Sequence, residues 1–383
     1  MGVLSLKVVL LAKYLPKDGA TTHIYTLANG FKNKGHEVHI LSAGPTSDQT
    51  ARELFLNSLK GINHHNIGFP LYFNLRFYSK ILQMFRYIFV IPRTLYLLAK
   101  IKPDVIHVHY PVTSYLASLY KKITKKKFVT TYHIKGIPNH LLHKKADCAI
   151  AISSELKKEL EEEWGYDNDK IRLVFNGVSR SRFDRNISFS EKYAFKSKLG
   201  IDKEKITIGF VGTYQYKKGI DILLEACTKL RKYPTQYQVV LLGDGDIDWV
   251  KGLIEKYDLK GTVLLRGFQD PVDFYAAFDI FVLPSRNEGF PLVALEAMMM
   301  GVPTIRSNVS GANDMIKHGE SGLIFQNGDS AELAKYLDKL IEDRNLRDKL
   351  GQNGKEYVLQ NFTEEIMITK LLFVYEEISG AVR

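Results

Sequence analysis

Short apolar runs alternate along this chain with stretches in which apolar residues recur at helical spacing. In the first half the runs lie at 7–12, 38–41, 105–109, 128–133, 146–153 and 171–178. Between the first two, residues 21–34 carry the spacing of an amphipathic helix; another helix runs from Ser153 to Leu160, with the Ser153 hydroxyl placed to cap it. The pattern restarts at 206–212 and continues through 239–242, 263–268, 280–283 and 302–305. Two long amphipathic helices follow, the last over about 361–378 with Ile366, Leu371, Leu372, Tyr375 and Ile378 at its apolar positions. Near-continuous apolar runs are what strands buried on both faces look like, and alternation with helices predicts α/β domains built on parallel sheets. A polar link over 179–197 marks the boundary, giving domains 1–180 and 181–361. The apolar start, 3–12, has neither a basic leader nor a small-residue cleavage site, and fits the first buried strand better than a signal core.

Composition adds little until charge is split by half. The 383 residues are 45% hydrophobic, ample for two cores. The two cysteines, Cys148 and Cys227, both lie in apolar stretches, so neither a disulfide framework nor a cysteine zinc cluster is indicated, and a reducing cytoplasmic setting is expected. Residues 1–180 hold 26 Lys+Arg against 13 Asp+Glu, whereas 181–383 hold 27 against 29. The basic half calls for an anionic partner: nucleic acid, the acidic face of a membrane or a polyanionic acceptor. No recognised RNA-binding pattern accompanies the charge, which argues against nucleic acid.

Residues 69–100 concentrate aromatic and aliphatic side chains (Phe69, Leu71, Tyr72, Phe73, Leu75, Phe77, Tyr78, Phe85, Tyr87 and Phe89 among them), broken by Arg76, Lys80, Arg86, Pro92 and Arg93. No run reaches the roughly 18–20 apolar residues a spanning helix needs. Two readings stay open: helices packed on the N-terminal sheet, or helices lying in the plane of an anionic membrane surface, helped by Lys121, Lys122, Lys125, Lys126 and Lys127.

Candidate chemistry centres on 285–301. Apolar runs on either side make it the loop and helix of a βαβ unit, with Pro291 suited to the first helical turn and Gly301 to the stop. The free N–H groups of such a helix start suit a diphosphate. Glu288 in the loop and Glu296 in the second turn make poor phosphate ligands but good acceptors for sugar hydroxyls on either side of one. The plain alternative is a loop carboxylate and a solvated helix carboxylate. Elsewhere, His107 and His109 share a strand face without a third metal ligand nearby in sequence, and His133 ends the next strand. Gly212 closes a strand ahead of Thr213, Lys217 and Lys218, an arrangement that suits a phosphate although it is not a Walker loop; the plain alternative, which the residues alone favour, is lysines that are merely solvated charges at a helix start. Asp244, Asp246 and Asp248 imitate a calcium loop, but Trp249 occupies the place of the required glycine.

The wording Glu288-Gly289-Phe290-Pro291-Leu292, Glu296-Ala297 and Gly301-Val302-Pro303 resembles the E-x7-E signature of the retaining GT-B glycosyltransferases of family 4, and further pieces match in order along nearly the whole chain. The resemblance implies two Rossmann-like α/β domains facing one another across a cleft, the last helix (362–383) crossing back onto the first, with acceptor bound by the first domain and donor by the second. It implies a hexose or N-acetylhexosamine donor of the UDP or GDP type and a glycan or lipid-linked acceptor. Neither cofactor nor metal is expected, and the enzyme is expected in the cytoplasm or on the inner face of the membrane. The acceptor would attack the face from which the diphosphate departs, a phosphate oxygen helping to take its proton.

Carried over residue by residue, Gly19 would approach phosphate or sugar, and His133 and Glu288 would hold the sugar. Lys218, with Lys217, would clamp the diphosphate, while Glu296 would take the ribose. Gly212, Thr213, Gly243, Gly267, Phe268, Gly289, Phe290, Pro291 and Leu292 would line the donor. This chain departs from the pattern at Thr213, where the family commonly has Arg, at Ser179 and Asp314, and at Asp18-Gly19, where two glycines are usual. The rival readings are a sugar-nucleotide epimerase of the same architecture, a pyridoxal-phosphate phosphorylase and a basic binding protein.

Overall fold

The computed structural model describes residues 5–46, 49–69, 77–110, 113–137, 143–230 and 236–380, apart from the side chains of Thr50 and 77–87. They form two compact units, one built from the residues up to Phe175 together with those from Glu364 onward, the other from Asn176–Thr363.

The first unit holds seven parallel strands: β1 (Lys7–Leu11), β2 (Glu37–Ser42), β3 (Asn63–Asn66), β4 (Val105–Val108), β5 (Phe128–Tyr132), β6 (Cys148–Ala151) and β7 (Ile171–Leu173). Their order is β3-β2-β1-β4-β5-β6-β7. β4, β5 and β6 are buried at every residue, as strands covered on both faces must be. The edge strand β3, Asn-His-His-Asn, has no apolar run and was invisible to the hydrophobic pattern; backbone pairing to β2 holds it. The second unit repeats the scheme with β8 (Ile206–Val211), β9 (Tyr237–Leu242), β10 (Val263–Arg266), β11 (Ile280–Leu283), β12 (Thr304–Ser307) and β13 (Leu323–Phe325), ordered β10-β9-β8-β11-β12-β13 and parallel throughout. Both units are Rossmann-like. In each, strand order reverses direction beside the first strand, between β1 and β4 and between β8 and β11, and ligands of open α/β sheets bind beyond the strand ends at such a point.

The structure corrects the sequence-based expectation in several places. The division falls after Phe175, not after 180, because Asn176 and Val178 already bond within the second unit, to the Phe290 carbonyl (2.8 Å) and the Phe362 carbonyl (2.9 Å). The supposed link contains the helices Arg180–Phe183 and Phe189–Lys198. The second is started by a capping box in which the Ser188 side chain accepts from the Glu191 N–H and Glu191 returns a bond to the Ser188 backbone. Polar composition hid it; the Ser-x-x-Glu spacing was the missed signal. The helix expected over 21–34 is Gly19–Asn33, since Asp18 accepts from the Thr21 N–H and sets the start two residues earlier.

The helix Glu364–Ser379 belongs to the first unit. It packs on Gly19–Asn33 so closely that a Cβ at Gly30 would lie 2.5 Å from Ile368 Cδ1. Tyr375, fully buried, meets His107 Nδ1 through its hydroxyl at 2.5 Å.

No helix among the described residues is long and apolar enough to cross a membrane. Of the aromatic-basic stretch, residues 70–76 lie outside the described residues, as do the side chains of 77–87. The backbone from Phe77 to Ile101 is one helix running through Pro92.

Candidate functional site

At the reversal point of the second unit, two loops are locked together. β8 leads through Gly212 and Thr213 into the tight turn Tyr216–Lys218 and then, past Gly219, into the helix Ile220–Thr228. β11 leads through Ser285 and Arg286 toward Pro291 and the helix Leu292–Met299. The Arg286 N–H donates to the Lys217 carbonyl at 2.8 Å, and the Arg286 guanidinium donates to both oxygens of Asp221 at 2.8 and 2.7 Å while lying 3.9 Å over the Tyr216 ring. A bidentate, stacked arginine holds a geometry that a lysine would not. Gly219 has φ +70°, and a Cβ there would sit 2.0 Å from the Pro284 carbonyl oxygen.

This frame brings Lys218 and Glu288 together, Nζ to Oε1 at 2.7 Å. The Ser285 hydroxyl donates to the same Oε1 at 2.8 Å. Glu288 is 8% exposed, so its charge depends on these partners. Both bonds converge on Oε1, and no described residue hydrogen-bonds Oε2. The carboxyl group is thereby held rigid, with one oxygen left to accept a further hydrogen bond.

Glu296 goes to a different partner, accepting from the Tyr275 hydroxyl at 2.8 Å. Burial raises its pKa above the ordinary carboxylate value, against the lowering effect of the tyrosine bond. Phe290 does not present its ring: it is 3% exposed and packs edge-on against Phe362 at 5.3 Å. Only its backbone can face a ligand, and its carbonyl already accepts from Asn176. Pro291 has extended backbone and stands just before the helix instead of in its first turn, leaving Leu292 as the first helical residue; Gly289 is buried beside it.

The remaining donor candidates ring the ends of β8, β9 and β10. Gly212 and Thr213 are partly buried, Lys217 is exposed, and Gly267 and Phe268 are exposed beyond β10. Gly243 approaches Gly212 so closely that a Cβ would lie 1.9 Å from its carbonyl oxygen. Tyr214, 1% exposed, is the pin that sequence reasoning missed: its hydroxyl donates to the carbonyls of Leu241 (2.7 Å) and Arg266 (2.9 Å). Asp246 spends its carboxylate capping the helix Ile247–Lys256 through the Trp249 N–H.

In the first unit Gly19 is exposed at its helix start, with open space where a Cβ would stand. Lys13, another residue missed in sequence, is 7% exposed just beyond β1, and burial lowers its pKa to about 8. His107 and His109 part company. His107 is held between Tyr375 and the Thr131 hydroxyl (2.6 Å), whereas His109 Nδ1 meets His133 Nε2 at 3.3 Å. His23, from the helix Gly19–Asn33, completes a group in which one ring nitrogen from each of His23, His109 and His133 lies within 4.8 Å of the others. Burial lowers the pKa of His133 to about 4 and of His107 to about 3, so both are neutral at physiological pH.

Comparison with known proteins agrees with this architecture. Residues 17–182 match the family described as Glycosyltransferase Family 4, and residues 191–357 match Glycosyl transferases group 1. The capsular polysaccharide biosynthesis glycosyltransferase CapM of Staphylococcus aureus is 28% identical, with 90% of each chain covered. An uncharacterized glycosyltransferase of Methanocaldococcus jannaschii, MJ1607, is 26% identical over 95% of this chain and 96% of its own. Among solved structures, Anabaena HepE in complex with UDP shares the fold at a TM-score of 0.81 and 19% identity, covering 97% of this chain and 100% of that one. The two matched stretches account for most of both units, and the chain belongs to the GT-B glycosyltransferases of family 4.

Proposed function

We propose that this enzyme moves a hexosyl or N-acetylhexosaminyl group from a nucleoside diphosphate sugar to a hydroxyl of a glycan or lipid-linked acceptor, retaining anomeric configuration. The observation that carries the reading is the Lys218–Glu288 pair, held at 2.7 Å beyond the ends of β8 and β11, where the order of the sheet reverses. The donor diphosphate lies against the free N–H groups that open the helix Leu292–Met299, and the Lys218 ammonium faces its charge. Oε2 of Glu288 accepts from a hydroxyl of the donor sugar. Glu296 takes a ribose hydroxyl, which supplies the second hydrogen bond its enclosed carboxyl lacks. His133, kept neutral by burial, bonds a sugar hydroxyl.

In the transfer step the bond from the sugar anomeric carbon to the phosphate oxygen breaks, and a bond from that carbon to the acceptor oxygen forms on the same face. The acceptor proton passes to a phosphate oxygen of the leaving nucleoside diphosphate. Lys218 and the helix start stabilise that leaving charge more than they stabilise bound donor, which is the condition for raising the rate.

UDP-sugars are favoured over GDP-sugars because HepE was solved with UDP. A thermal-shift panel of UDP-, GDP- and ADP-sugars checks this. A UDP-sugar at about 100 times its Kd adds roughly 2.7 kcal/mol and raises the unfolding midpoint by several degrees. The configuration of the new bond, read by NMR, reports retention. No shift with any nucleotide sugar at millimolar concentration sinks the proposal.

The acceptor half is proposed to work at an anionic membrane surface, as a peripheral protein. Ile88, Phe89 and Tyr96 on the helix Phe77–Ile101 are 59%, 74% and 65% exposed, and Ile123 stands out beside the exposed Lys122, Lys125 and Lys127. Exposed apolar side chains next to lysines suit an anionic lipid interface. The protein is expected to float with vesicles containing anionic lipid at low salt, to stay behind with neutral vesicles, and to lose binding when these three lysines become glutamate.

A further inference from the structure

The second sheet has a basic cavity at the end away from the Lys218–Glu288 pair. Lys205 leads into β8, Asp279 into β11 and Pro303 into β12, so these residues mark the amino ends of the strands, whereas Lys218 and Glu288 follow the carboxyl ends. The six residues of β8, at about 3.3 Å each, put roughly 20 Å between the two places. The cavity has a volume of about 220 Å³, and every residue that lines it belongs to the second unit.

Its charge stands against that of the half-chain around it. Residues 181–383 carry 27 Lys+Arg against 29 Asp+Glu, yet the lining holds six cations (Lys192, Lys196, Lys203, Lys205, Arg344 and Arg347) against three carboxylates (Glu204, Asp279 and Asp348), an excess of three. On the floor, Asp279 accepts from Lys192 Nζ at 3.1 Å, from Lys196 Nζ at 2.6 Å and from the Thr207 N–H at 2.9 Å, so one carboxylate serves two ammonium groups. Each ammonium makes one more bond, Lys192 to the Phe278 carbonyl and Lys196 to the Lys205 carbonyl, which leaves each a third donor among the described residues. Lys196 is 3% exposed, and burial lowers its pKa despite Asp279; a bound anion offsets that penalty. On the wall, Arg347 spends Nη1 on the carbonyls of Leu340 and Ile341 and keeps Nε and Nη2. Anchoring a helix to a strand end accounts for the Asp279 bonds, but not for Lys203, Arg344 and Arg347 beside them.

The rim is aromatic. Phe189 is 57% exposed, its ring lies 4.4 Å from that of Tyr193, and the Arg344 guanidinium stands 5.1 Å over it. An exposed ring beside cations offers a face on which a nucleotide base stacks. Sites that enclose a whole small molecule run to about 300–1,000 Å³, so this cavity holds the phosphate end of such a ligand and leaves the base on the rim. We propose that the cavity is a second nucleotide site, taking a nucleoside di- or triphosphate with its phosphates on Lys192, Lys196 and Arg347 and its base on Phe189. The site is separate from the donor and stands whether or not the Lys218–Glu288 pair acts in sugar transfer.

The test titrates the full chain calorimetrically at low salt with ADP and, in a second series, with inorganic pyrophosphate. K203E/R344E, which changes two exposed side chains, is expected to weaken ADP at this site by more than about tenfold. Phe189→Ala is expected to weaken ADP by about fivefold or more and to leave pyrophosphate unchanged. Lys218→Ala is expected to leave this site intact, which tells it apart from any ADP held at the donor loops. Thermal unfolding of each unliganded variant establishes that it folds. Absence of ADP binding at millimolar concentration, ADP affinity unchanged in K203E/R344E, or all ADP binding lost in Lys218→Ala would overturn the proposal. Pyrophosphate bound as tightly as ADP would remove the nucleoside from it, and UDP binding that survives Lys218→Ala would count against the donor reading alone.

Discussion

Replacing Lys218 by alanine is expected to lower sugar transfer by about 10²–10³-fold, the usual effect of removing one donor from a site of developing negative charge. The loss should fall on kcat more than on KM, because the ammonium is worth most once the diphosphate carries its full leaving charge. Glu288→Ala is expected to be comparably severe, through loss of the oxygen assigned to the sugar. Because Lys218 Nζ and Ser285 Oγ share Glu288 Oε1, the two substitutions touch one network. The double variant should therefore sit near the weaker single variant and not at the product of the two defects. Lys218→Ala also leaves a buried carboxylate with only a serine, a stability loss on the order of 1–3 kcal/mol, so activity must be compared well below the unfolding midpoint. Near-normal turnover in both single variants, with circular dichroism unchanged, would remove the pair from the mechanism.

Gly219→Ala is expected to be the most damaging small substitution in the second unit. Its left-handed φ of +70° costs a side chain about 1–2 kcal/mol, and the new Cβ would stand 2.0 Å from backbone, the Pro284 carbonyl, which cannot swing aside like a side chain. A total of roughly 2–5 kcal/mol follows, or a drop of about 5–15 °C for a unit of this size. Gly252→Ala is the control: it lies inside the helix Ile247–Lys256, where an added Cβ meets nothing within 4 Å, and alanine there should be neutral or slightly stabilising. Since Gly219 joins the loop of Lys218 to that of Glu288, whatever Gly219→Ala protein remains folded should also lose transfer. Equal midpoints for the two alanine variants would contradict this account.

Much of the fold was legible because buried parallel strands announce themselves as apolar runs. Residues 128–132 and 280–283 could hardly be anything else, and the wording from Glu288 to Gly301 pointed to the family. What escaped was held by other forces. β3 is polar and exists through backbone pairing, while the helix Phe189–Lys198 rests on a capping box and on buried Lys196 paired with Asp279. Glu288 and Glu296 were legible as a motif, but that one is gripped by Lys218 and the other by Tyr275 depends on contacts 70 and 21 positions away. His107 and His109 looked alike on one strand. Only the packing of Tyr375 and the placement of His23 and His133 tell them apart, and no spacing rule reaches so far along a chain.

The return of Glu364–Ser379 to the first unit has a consequence for synthesis. Residues 176–363 leave the ribosome before the helix that covers Gly30 and His107 exists, a delay of roughly 10–40 s at ordinary translation rates. The half that begins later can therefore finish first, while the nascent N-terminal sheet waits with Phe31 and its apolar neighbours uncovered. During that interval the chain is a natural client for chaperones that shield unfinished surfaces, and stalling late in the message would leave a transferase with one mature half and one aggregation-prone half.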